Sequence, residues 1–188
     1  MPSVPGSAGG VTLHAMRLER SVRGAAAGAV GAAVWAAQEP LDKRVFGLDY
    51  SDVELLGKAV TRGDEWPAVG LAIHLANGAA FGAAYSLAKP FLPGPPVARA
   101  LIAGMAENFG SWPLIGVVER IHPARRELPK LAGNPRALAQ ATWRHVLFAV
   151  IVGVLEERLN QGLRVDVPEV PASSNGHGDI ELAVGAAT

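Results

Sequence analysis

The sequence predicts an all-α polytopic membrane protein with four transmembrane helices in an antiparallel bundle. Three observations carry that prediction. Four apolar, Ala/Gly-rich stretches, at about 22–39, 66–88, 97–118 and 137–157, approach the ~20 residues needed to cross a bilayer. Each contains one tryptophan: Trp35, Trp66, Trp112 and Trp143. If the spans alternate in direction, all four indoles fall toward one bilayer face, as an interfacial aromatic belt would. Finally, residues 71–88 carry no charge, whereas an amphipathic surface helix shows polar groups on one face at every turn.

Composition sets the bounds. A chain of 188 residues suits one domain, and 17 basic residues balance 17 acidic ones, which leaves no electrostatic footprint for nucleic acid. Charged residues make up 18%, below the roughly 25% of soluble domains. The mean hydropathy of +0.22 is modest because the spans use Ala and Gly more than Leu and Ile. A soluble Ala-rich helical bundle is therefore the competing fold. The absence of cysteine excludes disulfides and thiolate chemistry.

Along the chain, residues 1–16 read as a disordered N-terminus, 17–160 as the transmembrane domain and 161–188 as a disordered tail rich in Pro, Ser and Gly. Arg17, Arg20 and Arg23 precede the first span and favour an N-terminus inside, with the tryptophan layer outside. The same basic start before a short apolar run also resembles a signal peptide. Gly24, Gly28 and Gly31 favour a retained span instead, because they line one helix face fit for close helix contact, within the chain or between copies. Between spans one and two, residues 51–61 predict a short amphipathic helix capped by Ser51. It would turn Asp52, Glu54 and Lys58 outward and Val53, Leu56 and Val60 inward. Lys89 and Pro90 close span two, and the FLPGPP segment admits only a tight turn, so spans two and three form an antiparallel hairpin. Pro113 is expected to kink span three, and the prolines of 119–136 prevent a long helix there.

The spans carry polar groups at matching depth. Glu107 lies about 15 Å into span three, and His74 and His145 about 12 Å into spans two and four, at 1.5 Å per residue. Asn77 and Asn108 sit within a turn of them, and Glu39 ends span one on the same side. Ionisable groups inside a bilayer are costly and usually face the bundle interior in pairs. Arg144, next to His145 but on another face, is expected to snorkel or to pair with an acidic residue of a neighbouring helix. Three readings follow for the layer of Glu107, His74, His145, Asn77, Asn108 and Glu39. One is a hydrogen-bond network that only holds helices together, in a structural or stress-response protein. Another is a proton or small-solute path through Glu107, His74 and His145. The third is a metal or haem site on those same three residues, although the base expectation is no cofactor. No catalytic triad, phosphate loop, metalloprotease or dinucleotide motif is present, so no enzyme is predicted.

The pieces GAAAGAVGAAVWAAQEPL (24–41), HLANGAAFGAAYSLAKPFLP (74–93) and ALIAGMAENFGSWPLIGV (100–117), with His145 and the following E-x-R, resemble in order the YagU-like family of bacterial inner-membrane proteins. The resemblance implies a multi-pass protein of the bacterial plasma membrane, partnered by the lipid bilayer, with His74, Tyr85 and His145 as the positions that would share a family role.

Overall fold

The computed structural model describes residues 8–163, and within them every regular element is helical. The elements are α1 (Ala8–Phe46), α2 (Asp52–Val60), α3 (Trp66–Ala88), α4 (Pro96–Ser111), α5 (Ile115–Ile121) and α6 (Pro135–Asn160). Residues 1–7 and 164–188, parts of the two segments expected to be disordered, lie outside the described residues. Ala8 already belongs to α1, whose 39 residues extend about 58 Å, well past both ends of its apolar centre.

Three helical stretches are long and apolar enough to cross a membrane: Trp66–Phe91, Pro96–Ile121 and Pro135–Leu163. The second of these is α4 and α5 joined through a single 3-10 turn, Trp112–Leu114, where Pro113 removes a backbone donor as the sequence predicts. The first closes through Lys89–Phe91 into the expected tight turn, which uses Gly94 at φ +95°. Asn134 caps α6 by accepting from the amides of Arg136 and Ala137.

Small residues set the helix order. A Cβ on Gly28 would overlap the Gly78 carbonyl, and one on Gly82 the Gly24 carbonyl, so α1 and α3 touch backbone to backbone. Gly57 and Gly70 do the same between α2 and α3, and Gly104 and Gly153 seat Ala149 and Ala100 between α4 and α6. Gly31 accommodates Phe148 of α6. The Gly24/Gly28/Gly31 face, expected to make close helix contacts within the chain or between copies, packs on α3 and α6 of the same chain. The helices form a curved row, with α2 on α3, α3 on α1, α1 on α6 and α6 on α4. Spans two and three, expected as a packed hairpin, do not lie along one another. They meet near the turn, where the Tyr85 hydroxyl donates to the Pro96 carbonyl at 3.0 Å, while α1 and α6 come between them beyond it.

Buried polar groups sit beside the hydrophobic core, and many large apolar side chains are exposed. The buried stripe of α6 reads Gln140, Arg144, Phe148, Val152, Glu156 and Asn160, at four-residue spacing. Its outer face carries Trp143, Val150 and Leu159, and α3 to α5 expose Leu71, Phe109, Leu114, Val117 and Ile121. Only 11% of the apolar window of Pro96–Ile121 is covered by the rest of the chain. Exposed apolar surface of this extent is compatible with helices that cross a membrane.

Candidate functional site

Two polar clamps lie toward opposite ends of α6. At one end, Arg144 is fully buried. Its Nε and Nη2 donate to the two Asp42 oxygens at 2.6 Å each, Nη1 to Asp52 Oδ2 at 2.7 Å and Nη2 to the Tyr50 carbonyl at 2.9 Å. Its guanidinium also lies 4.9 Å from the Tyr50 ring centre, within cation–π range. Gln140 and Gln38 donate to Asp42 at 2.7 and 2.5 Å. Glu39, expected in the layer with Glu107, belongs to this clamp. It accepts from Ser51 Oγ at 2.6 Å and the Asp52 amide at 3.0 Å, and lies 3.7 Å from Arg144. Asp52, expected to face outward from α2, turns inward because Arg144, Trp35 and the Tyr50 hydroxyl all donate to it. Val60, expected inward, is 68% exposed, since Gly57 rather than an apolar side chain makes the contact with α3.

Burial raises the Asp42 carboxyl, but the hydrogen bonds and charge of Arg144, with Gln140 and Gln38, outweigh it and leave its pKa below the ordinary aspartate range. Burial, reinforced by the neighbouring Asp52 charge and hydrogen bond, pushes the Tyr50 phenol well above its usual value.

At the other end Glu156 is fully buried. It accepts from Ser86 Oγ at 3.1 Å, Lys89 Nζ at 2.5 Å and Asn160 Nδ2 at 2.9 Å, and Lys89 reaches Glu157 as well. Arg23 donates to the Leu159 carbonyl at 2.6 Å.

Between the clamps, the gap left by α3 and α4 is a crevice of about 530 Å³. Trp35 and Ala32 of α1 and Phe148 of α6 lie among its lining residues, along with Phe81 of α3 and Trp112. Trp35, Phe148 and Phe81 form an edge-to-face row, with centroids 6.1 and 5.1 Å apart. The residues sharing this crevice include His74, Asn77, Glu107, Asn108, Ser111, His145 and Asp52, so five of the six residues expected in one layer line it.

Their environments differ. Asn108 is buried and donates to Thr142 Oγ1 at 3.1 Å, while Asn77 is exposed. His74 is 8% exposed, and its Nε2 has no hydrogen-bond partner among the described residues. Glu107 is half-exposed and meets His145 directly, Nε2 to Oε2 at 2.5 Å. The other ring nitrogen of His145, Nδ1, lies 2.8 Å from the Ala141 carbonyl. A carbonyl only accepts, so Nδ1 carries a hydrogen. Nε2 and the carboxyl oxygen then hold one further proton between them, on either partner. The pair is neutral with that proton and carries one negative charge without it.

The tryptophans do not share one environment. Trp35 is buried, donates to Asp52 at 3.0 Å, and touches His74 and His145 edge-on with centroids at 5.3 and 4.7 Å. Trp143 is 45% exposed and donates to Gln38. Trp66 is half-buried beneath Lys58, and Trp112 packs on the Tyr50–Leu131–Ala137 cluster. As for a metal, no group of three or more His, Cys, Asp or Glu side chains among the described residues is close enough to hold one. Trp35 contacts both imidazoles, and only His145 reaches Glu107.

Of the two expectations for Arg144, pairing with an acidic residue of a neighbouring helix holds, but sequence reasoning did not identify Asp42 and Asp52 as the partners. The pairs Gln38/Asp42 and Gln140/Arg144, each four apart on one helix face, were the available signal. No protein-family model, curated protein or solved structure matches the chain.

Proposed function

We propose that this is a four-span protein of the bacterial inner membrane that binds a small solute in the crevice and moves protons through Glu107 and His145. The observation that carries the reading is the placement of that pair. Its two members meet at hydrogen-bond distance on the wall of a crevice open between two membrane-length helices, with Glu107 half-exposed. A group serving only to hold helices together belongs in the closed interior, as Arg144 and Glu156 do. The structural or stress-response reading therefore accounts for the clamps and leaves the crevice unexplained. Crevices of roughly 300–1,000 Å³ suit small molecules, and intramembrane carboxylates and histidines are typical of proton relays. The long α1, held between α3 and α6, supplies the fourth span, and the YagU-like resemblance adds the bacterial inner membrane.

The test is proton flux in proteoliposomes under an imposed potential, read with an entrapped pH dye. Wild-type protein is expected to carry protons, and Glu107→Gln to reduce the flux about tenfold or more, the usual scale for losing a positioned proton-transfer group. Wild-type flux equal to that of empty liposomes would refute the reading.

A further inference from the structure

The geometry points to a monovalent organic cation, apolar over most of its surface, as the solute that occupies the crevice. This assignment rests on the reading of the crevice as a solute site, and the charges on its walls carry it further. Asp52 and Glu107 both line the crevice, and no lysine or arginine does. Behind Asp52, the carboxylates of Asp42 and Glu39 share the single guanidinium of Arg144, so that end wall carries excess negative charge when all are ionised. The other lining residues include Trp35, Phe81 and Phe148 in one row, and aromatic rings attract cations. A hydrated inorganic ion finds no ligand cluster among the described residues. An anion would meet two carboxylates. A cation with apolar substituents satisfies both the carboxylate and the rings, and an opening between lipid-facing helices admits it from the bilayer.

The same geometry sets a competition. Without a proton between Nε2 and Oε2 the Glu107–His145 pair carries one negative charge, which one monovalent cation neutralises. Cation and proton therefore compete for the same carboxylate. The other titratable side chains lining the crevice are His74 on α3, Asp52 on α2 and Tyr50 just before α2. Asp52 is held by Arg144, Tyr50 and Trp35, so His74 is the one further group able to add positive charge against the cation.

The experiment is equilibrium dialysis of the detergent-solubilised full chain with tetraphenylphosphonium, and with tetraphenylborate as its equal-sized anion. Tetraphenylphosphonium is expected to bind at about pH 8, with its affinity falling by up to about tenfold per pH unit on acidification where one proton is exchanged. Tetraphenylborate is expected not to bind. Glu107→Gln should weaken cation binding by about tenfold or more, and Glu107→Asp should retain it within about threefold. Equal binding of the two ions, or cation binding unchanged by Glu107→Gln, overturns the assignment. If neither ion binds while the wild type still carries protons in liposomes, the cation assignment fails and the proton reading stands. If the cation binds and no proton flux exists, the reverse holds.

Discussion

Arg144 shows at the scale of one residue what burial demands of a charge. It is fully enclosed between α1, α2 and α6, and every stabilising contact it makes is to a carboxylate, a carbonyl or the Tyr50 ring. Removing one partner of such a pair leaves the other desolvated and unpaired, at about 3–5 kcal/mol. Arg144→Ala is therefore expected to lower the thermal unfolding midpoint in detergent far more than Arg136→Ala on the exposed start of α6. Equal midpoints would remove Arg144 from its clamp role. The clamp also fixes a pH response. Asp42 has a depressed folded pKa, so its contribution is complete above the ordinary aspartate value and is lost as pH falls through the depressed one. Tyr50 has a raised folded pKa, so its contribution is complete below about pH 10 and is lost at higher pH. Stability measured across pH should decline at both the acidic and the alkaline limit, and Asp42→Asn should flatten the acidic decline. Trp35 shows why a residue's type did not reveal its surroundings. Its place in the sequence matches an interfacial belt, but α1 turns it inward, where Asp52 takes its indole proton.

Individual helices were legible where local chemistry decides them. The Ser51 cap, the proline breaks at 90 and 113 and the Gly94 turn follow from backbone sterics, and all appear where the sequence places them. Helix order is a different matter. The stripe of Gly24 and Gly28 marked a contact surface without naming its partner, because small-residue faces are interchangeable until the whole row is assembled. The partner is α3, through Gly78 and Gly82. Gly28→Val is expected to force α1 from α3 and cost at least about 1–3 kcal/mol, as overpacking does. Gly110 has open space where its Cβ would lie, so Gly110→Ala should be neutral or slightly stabilising, by up to about 1 kcal/mol. Thermal unfolding of the two variants side by side checks this. A Gly28 variant as stable as Gly110→Ala would mean that α1 and α3 do not meet as described.

For the whole molecule, depth could be read from the sequence but direction around each helix axis could not. Counting residues from the span ends brings His74, Glu107 and His145 to similar depth, and all three line one crevice. Which of them touch depends on helix rotation, so His145 reaches Glu107 while His74 contacts Trp35. The separation of α3 from α4, which creates the crevice, results from α3 packing on α1 and α4 on α6, with α1 and α6 lining the gap, and left no local mark in the sequence. The chain's lack of cysteine makes that architecture directly measurable. Single cysteines at Asn77 and Ser111 line the crevice, and one at Phe109 lies on the exposed apolar face of α4. In intact membranes, a water-soluble, membrane-impermeant maleimide is expected to label Asn77→Cys and Ser111→Cys and to leave Phe109→Cys unmodified until detergent is added. Equal labelling of all three positions, or protection of the two crevice positions with labelling at Phe109→Cys, would contradict a water-accessible crevice set within membrane-spanning helices.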